Sequence, residues 1–240
     1  MSEMFCQFAP DFTIRPFTSA DSIVELTSLL HAAYRPLGAR GLNYTAVDQS
    51  TEITARRIES GECLVAVDGR RLLGTIVFYP AERASGCPWY DRPEVSSLGQ
   101  FGVLPSLQRS GIGRRLLATA EDRAAVAGAT EIALDTAEPA AQLIDWYGRC
   151  GYRLVEHAQW AGKIYRSVIM SKTVVPRGAT AVATRGSSTS QPEQALGSHT
   201  AKPGATTSNE VQNLTIAASN AVDIDNLLFV PRPPVMNPRL

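Results

Sequence analysis

Residues 99–117 read G-Q-F-G-V-L-P-S-L-Q-R-S-G-I-G-R-R-L-L: a short apolar run, a proline turn, a glycine-bearing loop and the start of an amphipathic segment. Gly111 and Gly113 stand where the loop turns into a helix. The first N–H groups of a helix have no internal acceptor, and the summed peptide dipole makes that end partly positive. Glycine lets the backbone approach an anion closely. A strand–loop–helix of this kind is an anion site, with a pyrophosphate as its expected guest. Arg109, Arg114 and Arg115 add positive charge beside it. Glycines at such a point also serve as plain turn residues, and the pattern alone leaves that reading open. The dinucleotide fingerprint G-x-G-x-x-G fits badly. Leu116 stands where the third glycine belongs, and the segment falls mid-chain instead of opening a βαβ unit.

Strand and helix patterns alternate around this segment. A first strand is read over 13–17. Thr18 and Asp21 form a capping-box-like start, followed by Ile23, Leu26, Leu29 or Leu30, and Ala33 at helical spacing. Residues 34–44, rich in Pro and Gly, read as loop, and a second helix is expected over 47–59, ended by Gly61. The apolar runs 63–67 and 72–78 flank a D-G turn signal at 68–70 and read as a hairpin. A loop over 81–94 leads to a fourth strand, 96–103. The following helix, 111–127, turns Ile112, Leu116, Leu117, Ala120 and Ala124 inward and closes at Gly128. A fifth strand at 131–136, a helix at 140–149 ending at Gly151, and an antiparallel pair over 152–160 and 165–172 complete the folded region.

Two motifs in that order resemble the GNAT superfamily, the Gcn5-related N-acetyltransferases. Gln108, Arg109, Ser110, Gly111, Ile112 and Gly113 look like its Q/R-x-x-G-x-G/A loop, with Val103 and Pro105 where the family has V-x-P. Downstream, L-I-D-W-Y-G-R-C-G-Y over 143–152 is similar to its F/L-Y-x-x-x-G-F/Y element. The resemblance covers residues 12–173 or so. It implies an α/β (α+β) fold: a twisted, mixed, largely antiparallel sheet flanked by helices, whose fourth and fifth strands run parallel and splay. It also implies an acetyl-CoA-dependent N-acyltransferase. Phe101, Gly102, Val103, Gln108, Arg109, Ser110, Gly111, Ile112, Gly113 and Arg114 would hold the cosubstrate. One position departs: the family often has an asparagine seven residues before the tyrosine, against the pantetheine arm, and this chain has Ala140.

The chemistry implied is attack of an amine on a thioester, through a tetrahedral intermediate, with thiolate leaving. A backbone N–H at or near Val103 would serve the oxyanion. A lysine-like amine with pKa near 10.4 is neutral in about one molecule in 10³ at pH 7, a deficit of about 4–5 kcal/mol that a base, a water chain or a shifted pKa must meet. Resemblance makes Tyr147 the acid that protonates the sulfur. A phenol keeps its proton at pH 7. Its helical spacing with Leu143 and Cys150 also suits a plain core residue. No base is visible. Gln100 can hydrogen-bond a water but not serve as a base, and Glu82, Asp91 and Glu94 lie in the preceding loop, where carboxylates are usually solvated. His31 and His157 have no assigned role, and no metal is expected, since no ligand set stands at metal spacing. Tyr34, Tyr44, Trp89 and Tyr90 fall in the loops that border the acceptor in similar proteins. They suit an apolar or ring-bearing substrate, or serve as loop anchors.

Composition narrows the partners. With 23 basic and 23 acidic side chains the net charge is zero, so nothing global favours nucleic acid or an anionic membrane. A small-molecule or peptide amine remains as the acceptor class. Four scattered cysteines without C-x-x-C, and no basic patch followed by an apolar core at the N-terminus, suit a reduced, cytoplasmic protein. A non-catalytic acyl-CoA-binding regulatory module is the alternative of a different class, and a dinucleotide-binding oxidoreductase a distant third.

Residues 1–11 read as an N-terminal extension, 12–175 as the GNAT-like domain and 176–240 as a disordered tail. The last segment holds nine formally charged side chains and one aromatic, Phe229. Such a composition cannot offset a backbone ordering entropy of about 1–2 kcal/mol per residue. The apolar stretch 222–230 reads as tail, as a short binding motif or as a cover for the core. A chain ending near Val175 is expected to keep its melting temperature and acetyl-CoA affinity, measured by calorimetry. Unfolding on truncation would show that the apolar stretch packs on the core.

Overall fold

The computed structural model describes residues 11–177. The expected N-terminal extension, save its last residue, and the expected tail beyond residue 177, including the stretch 222–230, lie outside the described residues. In chain order the elements are β1 (Thr13–Pro16), α1 (Ile23–Gly38), α2 (Thr51–Glu59), β2 (Glu62–Asp68), β3 (Arg71–Tyr79), β4 (Val95–Val103), α3 (Ile112–Val126), β5 (Glu131–Ala137), α4 (Ala141–Arg149), β6 (Arg153–Ala158) and β7 (Ser167–Thr173). Seven strands form one sheet in the order β1-β2-β3-β4-β5-β7-β6. Every pairing is antiparallel except β4 with β5. This is the mixed, largely antiparallel sheet that the resemblance implied.

β3 shows how the sheet is buried. Leu73, Ile76 and Phe78 face a core shared with Leu116, Ile132 and Leu134. Leu72, Val77 and Tyr79 face the opposite core, with Leu26, Leu29 and Leu30 of α1. Successive strand residues point to opposite faces, so a strand covered on both sides reads as a continuous apolar run. Each large aliphatic side chain removed from water contributes about 1.5–3 kcal/mol.

The bounds of two helices differ from those expected. Helix α1 is capped by Ser22, whose Oγ accepts from Glu25 N–H at 3.2 Å. Asp21 is engaged elsewhere: its two oxygens accept from Arg15 Nη1 and Nη2, each at 2.7 Å, and Oδ2 also accepts from Thr18 N–H at 2.8 Å. The helix also continues through Pro36 to Gly38, where loop was expected. Proline forfeits one i→i−4 bond, but it does so in the last turn, while Leu37 of that turn packs in the cluster that includes Leu42 and Tyr44. The expected helix over 47–59 is two pieces, a single 3₁₀ turn at Thr45–Val47 and α2 from Thr51, capped by Ser50. The break between them buries Gln49.

Strand β4 is irregular where it matters. Thr75 pairs with Gly102 and Val77 with Gly99, so Gln100 and Phe101 together oppose Ile76. This bulge puts Gln100 at a φ of 46°, unusual for a non-glycine residue. Pairing with β5 is confined to Val95–Glu131, Ser96–Ile132 and Ser97–Ala133, and beyond Ser97 the two strands part. At Gly102 a Cβ would lie 3.1 Å from that of Ala33, so α1 comes this close to β4 only over a glycine.

The Arg15–Asp21 pair ties β1 to the start of α1 and holds the Asp21 carboxyl far below the usual carboxylate range, chiefly through the Arg15 hydrogen bonds. A depressed folded-state pKa contributes stability that is complete above the unfolded pKa, about 3.9, and lost as pH falls toward the folded value. Asp21→Asn is expected to lower the melting temperature at pH 7. Its gap to the parent chain should narrow below about pH 4, which melts across pH 2.5–7 would record.

Candidate active site

The parting of β4 from β5 opens a cleft of about 460 Å³. Its walls come from α1, β4, the loop after β4, the start of α3, β5 and α4. Of the ten residues expected to hold a cosubstrate, eight line it: Phe101, Gly102, Val103, Gln108, Arg109, Gly111, Gly113 and Arg114. Tyr147 lines it as well. Ser110 turns its hydroxyl onto Leu107 O at 2.7 Å, and the Ile112 side chain is fully buried in the core beneath α3. Arg115 points away, its guanidinium 4.4 Å from the centre of the Phe12 ring.

The start of α3 is bare. Gly111 is its N-cap, at φ 93° and ψ −12°, and offers no side-chain acceptor. The first N–H groups of this fifteen-residue helix are therefore left to whatever occupies the cleft. A left-handed φ favours glycine at 111, and Arg109 nearby is also left-handed, at 67°. Backbone direction on β4 follows from one bond. Leu104 N–H donates to Leu73 O on β3 at 3.0 Å. Direction alternates along a strand, so the neighbouring Val103 N–H faces the gap.

Tyr147 sits on α4 among aromatic rings, with centroids 5.0 Å from Trp146, 5.9 Å from Tyr152 and 6.5 Å from Phe101. Burial, then the nearby Tyr34, Tyr44 and Asp135, pushes its phenol well above the ordinary value. The hydroxyl keeps its proton throughout the physiological range. It makes no hydrogen bond among the described residues. Ala140 is the N-cap of α4, fully buried and without a side-chain acceptor.

A smaller chamber of about 60 Å³ shares Tyr34, Tyr44, Phe101, Asp135 and Tyr147 with the cleft and adds Arg57, Gln100, Lys163 and Tyr165. Asp135 is held by Trp160 Nε1–H and Ser167 Oγ–H, each at 3.0 Å. The Tyr44 hydroxyl accepts from Ala137 N–H at 2.8 Å and lies 2.9 Å from Thr136 Oγ1. Sequence reading passed over Arg57, Asp135 and Lys163. Asp135 had a signal, a charge inside the apolar strand E-I-A-L-D-T-A. Arg57 had none, being one of two adjacent arginines on a helix.

Other expectations are corrected. Trp89 and Tyr90 do not border the cleft; Tyr90 stacks on Trp160 at 6.3 Å in a separate cluster. None of Glu82, Asp91 and Glu94 lines either chamber. Glu94 is paired with Arg92, and Asp91 Oδ1 accepts from Gly86 N–H. His31 Nε2 lies 2.8 Å from Gln49 O, and His157 is 3.6 Å from Glu138. Among the described residues no cluster of three or more His, Cys, Asp or Glu side chains could hold a metal, and no helix is long and apolar enough to cross a membrane.

Residues 24–152, more than half of the chain, match the family model described as acetyltransferase (GNAT) family. The chain belongs to the GNAT acetyltransferase family. An uncharacterized N-acetyltransferase of Bacillus subtilis (strain 168), YvbK, is 29% identical over 107 residues, which span 45% of this chain and 63% of that relative. The S-(2-succino)cysteine N-acetyltransferase of the same organism is 26% identical over 168 residues, 68% of this chain and 95% of that one. Among solved structures, PH1933 from Pyrococcus horikoshii OT3 has a TM-score of 0.54 at 21% identity, across 68% of this chain and 98% of its own. That likeness is one of fold.

Bare N–H groups and a left-handed glycine meet at the start of α3, as an anion site would require. Gly111→Val strains the backbone at φ 93°, where a Cβ meets no neighbour within 4 Å, and so redirects those N–H groups through the backbone alone. It is expected to weaken CoA binding at least tenfold, about 1.4 kcal/mol. Unchanged affinity by calorimetry in a folded variant would remove the loop from the binding site.

Proposed function

We propose that the chain is an acetyl-CoA-dependent N-acyltransferase that passes the acetyl group directly to an amine. One observation carries this reading: a bare helix N-terminus and a buried, protonated tyrosine face the same gap between two parting strands. The residues present fit the cosubstrate. The N–H groups at the start of α3, with Arg109 and Arg114 beside them, suit a pyrophosphate, and the apolar walls of Phe101, Leu143 and Trp146 suit an extended thioester arm. Acetyl-CoA supplies an activated acyl group and a leaving thiolate. A relative named for N-acetylation, matched over 95% of its length, supports transfer to nitrogen. Free, buried thiols at Cys63 and Cys87 are in keeping with a reducing compartment such as the cytoplasm.

The chain's own groups divide the work. Val103 N–H donates to the carbonyl oxygen as negative charge develops there. The cleft aligns the amine nitrogen with the acyl carbon, which can supply several kcal/mol through effective molarity. As the C–N bond forms and the C–S bond breaks, the electron pair goes to sulfur, and Tyr147 gives that sulfur its phenolic proton. The acceptor, arriving as an ammonium, gives one proton to water in the cleft before attack and a second as the amide forms; one of the two restores the Tyr147 phenol and the other leaves to solvent. The Asp135 carboxylate in the wall favours arrival of the amine in its ammonium form.

Tyr147→Phe keeps the ring and removes only the donor. Turnover is expected to fall by about 10²–10⁴, or about 3–5 kcal/mol of barrier, with near-normal CoA affinity. Full turnover would make Tyr147 a packing residue, with solvent protonating the thiolate. Acetyl-CoA binding by the parent chain without transfer to any amine would instead mark a non-catalytic acyl-CoA-binding module.

A further inference from the structure

We infer that the small chamber beside Gln100 is a carboxylate anchor, and that the amine acceptor is a small molecule of amino-acid type, bearing a carboxylate near its amine. This rests on the transferase reading above. Counting donors and acceptors carries it. Arg57 can only donate. Its Nη1 donates to Gln49 Oε1 at 3.2 Å, which turns the nitrogen of that amide the other way. Gln49 Nε2 then donates to Thr54 Oγ1 at 2.7 Å and to Gln100 Oε1 at 2.8 Å. Flipping the Gln49 amide would set its nitrogen against the guanidinium, and flipping Gln100 would set two amide nitrogens together. The guanidinium therefore fixes the polarity of the whole relay.

The relay has donors left over and no acceptor to meet them. Gln100 Nε2 and Arg57 Nε are both buried without a hydrogen-bond partner, and the Gln100 residue is only 3% exposed. Arg57 has no carboxylate partner among the described residues. Both residues line the chamber, and Lys163, held by Asn43 O at 3.1 Å and Thr45 Oγ1 at 2.7 Å, adds a second cation to its wall. Buried donors in surplus beside cations favour a group that only accepts, and a carboxylate matches a guanidinium in shape and charge. About 60 Å³ admits a few heavy atoms. A phosphate is larger and doubly charged, and Asp135 in the same wall opposes a dianion. A zwitterion satisfies both ends, with its ammonium toward Asp135 and its carboxylate toward Arg57.

The test uses the full chain with acetyl-CoA and a panel of free L-amino acids, each paired with its carboxamide, together with simple alkylamines and aminoalkyl phosphates. Thiol release and the mass of the acetylated product are followed. At least one acid is expected to exceed its carboxamide tenfold or more in kcat/KM, mainly through KM. Arg57→Gln should bring that ratio close to one. Gln100→Leu, whose melting temperature is measured alongside, should shrink it in the same direction. Equal use of acid and carboxamide, a ratio unmoved by Arg57→Gln, or preference for the phosphates would overturn the anchor and leave the transferase reading standing. A second arm titrates N-acetyl amino acids and their carboxamides into the CoA-loaded protein by calorimetry. If no amine is acetylated, yet the acids bind and Arg57→Gln loses them, the anchor stands and the transferase reading fails. Equal binding of acids and carboxamides counts against the anchor.

Discussion

The proposed active site depends on one break in the sheet. Strands β4 and β5 pair through only three residues each and then part. The bulge at Gln100 and Phe101 bends β4 just past the last of these pairs. A parallel pair that continued would spend its N–H and C=O groups on itself. Because it stops, the gap faces Val103 N–H, the start of α3 and the α4 aromatics together, and the sheet provides both the cleft and part of its chemistry.

The same bulge sets the polar interior. A side chain on a regular strand would continue the in–out alternation, whereas Gln100, at a left-handed φ, is carried into the chamber beside Gln49 and Arg57. Buried amides and a guanidinium are costly unless satisfied. Most of this network is satisfied: Gln49 uses both amide hydrogens, and Oε1 and the backbone oxygen are engaged. The imbalance is concentrated at Gln100 Nε2 and Arg57 Nε, on the wall of the small chamber. Departures of this kind cluster at functional sites, because there the surroundings hold a group that would otherwise relax.

The two halves of the cleft were legible to different degrees. The segment 101–114 is contiguous in sequence and carries the motif on which the resemblance rests, and eight of the ten residues expected from it line the cleft. Ser110 and Ile112 were the exceptions because alternate side chains of such a loop must turn inward to anchor it. The other half was nearly opaque. Arg57, Gln100, Asp135 and Lys163 come from α2, β4, β5 and the segment before β7. No spacing rule links them. Aromatic residues misled for a related reason: Tyr44 and Tyr90 look alike in their loops, and only packing put the first at the cleft and the second on Trp160.

Local and repeating physics was readable from the chain alone. Strand alternation, helical periodicity, the D-G turn and the bare glycine helix start are short-range consequences of backbone sterics and burial. They determined the order of the elements and the bare helix start, while the mixed sheet followed from the resemblance those segments carry. The tertiary structure decided what needs long-range contact. It extended α1 through Pro36, because packing of the last turn outweighs one lost hydrogen bond. It divided the second helix and buried Gln49. It also brought a guanidinium, an amide, a carboxylate and an ammonium from four distant segments to one chamber, since the energy of a buried polar group depends on neighbours that sequence separation does not reveal.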